Sequence, residues 1–204
     1  MTSKNQKIHE IERRIEREEV METPLLPAWD DLRVAASVTK AGVTAPVWGT
    51  FLATGTLRSL HFETRVDQEV TFEIQMPHDY LQGSDVYPHV HWCPTSTAAG
   101  NVLWGLEFSW ANMNDAFPAP TTYLTTGNSI GTTAWAHILS RLTSSDGFEY
   151  IDGTGKTISS MISCRLYRNG SATSVDTYGA DAALLEFDLH YQKDSFGSRE
   201  EVVK

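Results

Sequence analysis

His89 and His91 stand one residue apart in VYPHVHWC, and that spacing decides what they can do together. Successive side chains of a strand point to opposite faces, so a strand here puts both imidazoles on one face, close enough to share a metal ion. Two ligands fall short of the three or four that a catalytic zinc takes, unless Glu107, His137 or His190 converges on the pair. The plainer reading is of two exposed or interface histidines on a polar sheet face. A site shared between subunits is a third, because two imidazoles per chain around a threefold axis would supply six nitrogen ligands. Glu186, Asp188 and His190 likewise share one face of LLEFDLHYQ. They have the chemistry of acid and base groups, but Arg165 on a neighbouring polar face would neutralise them, and neither group has a recognisable nucleophile beside it.

Other motifs weaken on inspection. GTGKT at Gly153 to Thr157 lacks the first glycine of a phosphate loop, since position 150 is Tyr150, and ISSMISCRLY after it alternates like a strand where a helix should open. A turn is the reading. Gly83, five residues and HxH match the opening of a cupin motif, yet CPTSTAAG lacks the glutamate that should follow, and no second cupin motif appears. HExxH, paired CxxC and a dinucleotide fingerprint are all missing from the sequence. Asn169-Gly170-Ser171 is foremost a turn. No metal and no cofactor is therefore expected, with His89 and His91 the residual metal candidates.

The elements that would position these residues are mostly strands. Apolar residues alternate with polar ones at Leu60, Phe62 and Val66, then at Val70, Phe72, Ile74 and Met76, with a junction expected at Asp67-Gln68. The same period runs through Val86, Val90 and Trp92, through Val102, Trp104, Leu106, Phe108 and Trp110, through Ile158, Ile162, Cys164 and Leu166, and through Leu185, Phe187, Leu189 and Tyr191. Six or more one-faced strands imply two sheets closing on one core, a mainly β jelly-roll or sandwich. Trp92, Trp104, Leu106, Phe108, Phe187 and Leu189 are its expected centre, and His89 and His91 its tolerant outer face. Cys93 and Cys164 read as reduced, buried residues of strands. Ahead of this domain, residues 1–22 carry Ile8, Ile11 and Ile15 at helical spacing in a charged segment, too narrow a stripe for a core and suited to a partner. Residues 23–56 hold Pro24, Pro27, Pro46, Trp29 and Trp48 without a sustained period and read as an extended arm crossing to a neighbouring subunit. The division is thus 1–22 helix, 23–56 arm and 57–204 β domain.

Sixteen basic against 26 acidic residues give a net charge of −10, which repels phosphate backbones and argues against a nucleic-acid partner. No stretch has the roughly 20 apolar residues of a membrane helix, and MTSKNQKIHE lacks the apolar core of a signal peptide, so residence in a cytosol is expected.

MPHDYLQGSDVYPHVHWCPTSTAAGNVLWGLEFSWAN, residues 76–112, together with VDTYGADAALLEFDLHYQKDSFGS, residues 175–198, resembles a family encoded in the structural-gene regions of tailed phages and prophages. Its signatures are the PH-D-Y turn, the PHVHW strand, the W-L-F-W alternation and the closing EFDLHYQ. The resemblance implies a non-enzymatic virion protein, jelly-roll-like, in head decoration, head-tail connection or tail. The partners expected are itself, with a trimer favoured, and capsid, neck or tail proteins; the residue pattern, and not the resemblance, gives residues 1–56 as the docking arm, through Ile8, Ile11, Ile15, Trp29 and Trp48. Two other classes fit parts of the sequence: a cupin-like metal enzyme using His89 and His91, and a carbohydrate-binding module using Phe117 and Tyr123 of the 111–131 loop.

Overall fold

The computed structural model describes residues 27–125, 128–130 and 133–201, and among them the chain is mainly β. Its strands are β1 (Ala28–Ala35), β2 (Lys40–Ala41), β3 (Val47–Thr50), β4 (Arg58–Phe62), β5 (Asp67–Gln75), β6 (Tyr87–Pro94), β7 (Gly100–Val102), β8 (Trp104–Ala111), β9 (Thr121–Thr125), β10 (Asn128–Ile130), β11 (Ile138–Thr143), β12 (Met161–Asn169) and β13 (Ala182–Lys193). The order β2-β5-β12-β8-β9-β11-β6-β13-β4-β3 makes one antiparallel sheet, with β1 added on β13 and with β7 and β10 as a separate pair.

That long sheet curls on itself at β11. Residues Ile138 to Arg141 pair with β6, whereas Leu142 and Thr143 pair with β9, so one strand serves both halves. The halves then face each other. Phe62 of β4 meets Trp104 of β8 edge-on at 5.0 Å, Trp92 of β6 meets the same indole at 6.0 Å, and Phe72 of β5 lies 5.0 Å from Phe187 of β13. The alternation in the sequence supplies these contacts: Val70, Phe72 and Ile74 of β5, and Ile162, Cys164 and Leu166 of β12, are buried on the inner face. The six side chains expected at the centre of the core are buried too, as are Cys93 and Cys164, both free thiols.

A buried charge closes one end of this core. Arg168, at the end of β12, is fully buried, and all five of its N–H groups find acceptors. Nε and Nη2 donate to the two oxygens of Asp176 at 2.9 and 2.8 Å. Nη1 donates to the carbonyls of Phe62 and Ala180, and Nη2 to that of Tyr178. One side chain thereby links β12 in one half of the sheet to β4 in the other and to the segment that leads into β13.

Three expectations change. The junction expected at Asp67-Gln68 is a turn at 64–66, with Arg65 at φ 62°, and β4 and β5 on either side belong to opposite halves and do not pair. Leu185 is half-exposed while Leu184 is buried, because β13 carries a bulge between Leu184 and Glu186 that resets which face each residue takes. The segment 23–56, expected as an extended arm ahead of a domain that starts at 57, lies within the sheet from Ala28 onward: β1 pairs with β13, β2 with β5 and β3 with β4. The helix expected over 1–22, with Ile8, Ile11 and Ile15, lies outside the described residues.

Arg168→Ala leaves Asp176 buried without its counter-charge and is expected to lower the unfolding free energy by about 3–5 kcal/mol in urea denaturation. Trp104→Ala, which empties the point where Phe62 and Trp92 meet, is expected to cost about 3–5 kcal/mol in the same measurement.

Candidate functional site

The two polar strand faces singled out by their histidines come together. β6 and β13 are neighbours, and the register sets His89 opposite Asp188, His91 opposite Glu186 and Tyr87 opposite His190. Strand alternation puts His89, His91, Asp188 and His190 on the face opposite to the core residues Val90 and Phe187. Asp188 sits at their centre. His91 Nε2 lies 3.3 Å and His190 Nε2 3.4 Å from its Oδ2, and His89 Nδ1 lies 3.6 Å from its Oδ1. The His89 and His190 rings stand nearly perpendicular with centroids 4.2 Å apart. Behind His91, His137 stacks on the ring and its Nε2 lies 2.7 Å from His91 Nδ1, while Asp31 of β1 reaches His190 Nε2 at 2.9 Å.

This outer face is not the exposed polar surface expected for His89. His89 is 6% and Asp188 2% exposed. Burial depresses the His89 pKa to about 4, and the neighbouring His190, Arg141 and His91 act in the same direction, so its imidazole is neutral at pH 7. Burial raises the Asp188 carboxyl above its ordinary range, against the opposing pull of His91 and His190. His89 Nδ1 and Asp188 Oδ1 are both buried without a hydrogen-bond partner among the described residues. Over the cluster lies a cavity of about 390 Å³ lined by Trp29, Tyr87, His89, Arg141, Glu149 and His190, with Trp29 edge-on to Tyr87 at 5.3 Å. Two imidazoles and a carboxylate around a small gap are the donor set that divalent transition ions take.

No protein-family model matches the chain. No curated protein matches it at a significant level. Among solved structures it is similar to TmCBM61 in complex with beta-1,4-galactotriose, with 11% identity over 84% of this chain and 93% of that one and a TM-score of 0.31. It is also similar to CBM28, a non-crystalline cellulose specific carbohydrate-binding module, with 8% identity over 77% of this chain and 88% of that one and a TM-score of 0.31. Scores of this size carry no inference about a shared ligand.

The remaining sequence candidates disperse. Glu107 is on β8, where it meets Arg165 at 3.3 Å, and Arg165 also pairs with Glu69, far from the acidic face it was expected to neutralise. Glu186 is held by Arg33 of β1, at 2.7 and 2.6 Å. Tyr123 is buried in β9, edge-on to Phe108 with its hydroxyl donating to the Tyr150 carbonyl, and so offers no platform to a sugar; Phe117 is exposed. GTGKT is a turn whose Gly153 is there for close approach, since a Cβ would fall 1.7 Å from the Ser84 carbonyl oxygen, and Lys156 is spent on the Trp110 carbonyl at 2.8 Å. Trp29 lines the histidine cavity, whereas Trp48 lines a separate apolar groove. Asp31 and Arg141, which complete the surroundings of the cluster, carried no signal in the sequence, because each depends on a strand pairing between distant segments.

A carboxyl whose folded pKa is raised costs stability above that pKa, and the cost fades as pH falls towards the ordinary carboxylate range. Asp188→Asn, measured by urea denaturation in chelator, is therefore expected to leave stability unchanged or raise it by up to about 1 kcal/mol at neutral pH, with the gain vanishing in acid.

Proposed function

We propose that the chain is a non-enzymatic structural protein of a tailed-phage virion, a jelly-roll domain that assembles with copies of itself and docks on capsid or head-tail proteins through residues 1–22. The supporting observation is where apolar surface has been left uncovered. Trp29, Val38, Val43, Val47, Trp48, Leu52 and Leu57, all within residues 29–57, are seven of the fourteen large apolar side chains exposed among the described residues. Scattered singly these would be unremarkable, but two of them, Trp48 and Leu57, line one apolar groove, and a clustered apolar patch marks an interaction surface.

That groove, of about 370 Å³, is lined by Trp48, Phe51, Leu57 and the bulge residue Leu185. The bulge matters here, because without it Leu185 would follow the alternation of the strand into the core. β2 and β3 end the sheet at its two edges, so their free backbone groups border the same segment. A second copy of the chain is the occupant that fits. With a net charge of −10, two copies repel through most of their surface, and an apolar groove whose one charged lining residue is Arg58 is where they can meet. The resemblance of residues 76–112 and 175–198 to virion proteins supplies the setting.

Trp48→Ser with Leu57→Ser removes two side chains worth roughly 1.5–3 kcal/mol each when buried, so self-association measured by sedimentation should weaken roughly 10²–10⁴-fold with an unchanged circular dichroism spectrum. A wild-type chain that stays monomeric at high concentration would sink the assembly reading. Replacing Ile8, Ile11 and Ile15 by Ser should leave the β domain folded and self-associating while depleting the protein from purified particles, because three buried isoleucines contribute on the order of 5–8 kcal/mol before ordering costs. Unchanged incorporation of that variant would move docking away from residues 1–22.

A further inference from the structure

We infer that His89, Asp188 and His190 bind one divalent transition-metal ion of the zinc class, and that this ion clamps β13 to β6 on one side and to β1 on the other. One potential ligand atom from each residue lies within 4.8 Å of the other two. The separation of the two unpaired atoms is that of ligands and not of a hydrogen bond. His89 Nδ1 and Asp188 Oδ1 are 3.6 Å apart, and His190 Nε2 reaches the same carboxylate, 3.4 Å from its Oδ2. With bonds of about 2.0–2.1 Å and tetrahedral angles, two ligand atoms on one zinc ion stand about 3.4 Å from each other.

The second observation is independent of spacing. His89 Nδ1 and Asp188 Oδ1 are buried and unpaired among the described residues, and nine-tenths or more of each side chain is out of solvent. Buried polar atoms without partners are rare and costly, and a cation between them satisfies both at once. The surroundings fit as well. His91 Nε2 faces the outer oxygen of Asp188 at 3.3 Å and is itself backed by His137 at 2.7 Å, a chain of contacts that would orient the carboxylate towards the ion. Asp31 lies 2.9 Å from His190 Nε2, and once that nitrogen coordinates a metal it has no proton to give, which frees Asp31 to complete the shell. Two neutral imidazoles and two carboxylates around a divalent ion make a site with no net charge. The ligands come from β6, β13 and β1, which explains the clamp.

The test titrates the full-length chain, stripped with chelator, with Zn²⁺ in a calorimeter. One ion per chain is expected, with a rise in the thermal midpoint. Asp188→Asn and His190→Gln should each weaken binding by about 100-fold or more, and His91→Gln by about 10–100-fold. His61→Gln should change nothing, since that ring is bonded to Ser59 outside the cluster. Thermal unfolding in chelator shows whether each variant is folded, and X-ray absorption of the loaded wild type should show nitrogen and oxygen ligands at about 2.0–2.1 Å. No Zn²⁺ uptake by the wild type overturns the inference, and so does uptake that Asp188→Asn and His190→Gln leave intact.

Discussion

The guanidinium of Arg168 has no contact with solvent, and the positions of four chain segments follow from where its five donors point. Its partner Asp176 also accepts the backbone N–H of Leu103 at 3.0 Å, so the joint between β7 and β8 is held by the same carboxylate. Tyr178, whose carbonyl takes another of the donors, is buried against Gly100, where a Cβ would come within 2.6 Å of the Tyr178 Cα. The Ala180 carbonyl takes one more, two residues before β13 begins. Fixing that entry point fixes how β13 runs along β6, and that register sets Asp188 opposite His89. The buried ion pair thereby anchors the start of the strand that carries Asp188 and His190.

β13 makes a second adjustment on the way. Before the bulge it pairs with β4 through Ala182 to Leu184, and after it with β1 through Glu186 to Lys193. The extra residue at Leu185 lies where one neighbour gives way to the other, and it turns a leucine out towards the apolar groove while keeping Phe187, Leu189 and Tyr191 in the core. Continuous alternation from Leu185 to Tyr191 looked like a single regular strand. The irregularity comes from the change of partner, which no residue within the strand records.

The strands with one apolar face and one polar face were legible, because a period of two needs only local sequence: Val70 to Ile74, Trp104 to Trp110 and Ile162 to Leu166 all point as their pattern implied. Residues 28–50 were not. β1 is intermediate or exposed at all but one of its positions, and β2 and β3 are two and four residues long, so their pairing is carried by backbone hydrogen bonds with little apolar alternation to announce it. The histidine cluster was half legible. His89-x-His91 and Glu186-x-Asp188-x-His190 were each visible as one-faced polar sets, but His91 and Asp188 lie 97 residues apart in the chain, and their adjacency is a property of how the sheet closes.

Among the described residues, the buried charges at Arg168 and at Asp188 obey opposite rules. At Arg168 every donor is met, both Asp176 oxygens are used, and the ion pair closes a seam between the two halves of the sheet. On the outer face, three imidazoles surround Asp188, His89 Nδ1 stands 3.6 Å from its Oδ1, and these two buried atoms are unmatched among the described residues beside a cavity. Were the outer cluster there only for stability, apolar residues of similar volume in β6 and β13 would cover the sheet at lower cost, since a partly satisfied polar network stabilises less than an apolar one. The same chain that satisfies Arg168 completely leaves His89 Nδ1 and Asp188 Oδ1 unpaired among the described residues, as it does Ser84 Oγ, Trp104 Nε1 and Ser195 Oγ. What distinguishes the outer face is that two such atoms, His89 Nδ1 and Asp188 Oδ1, stand 3.6 Å from each other, which is the observation on which the metal inference rests.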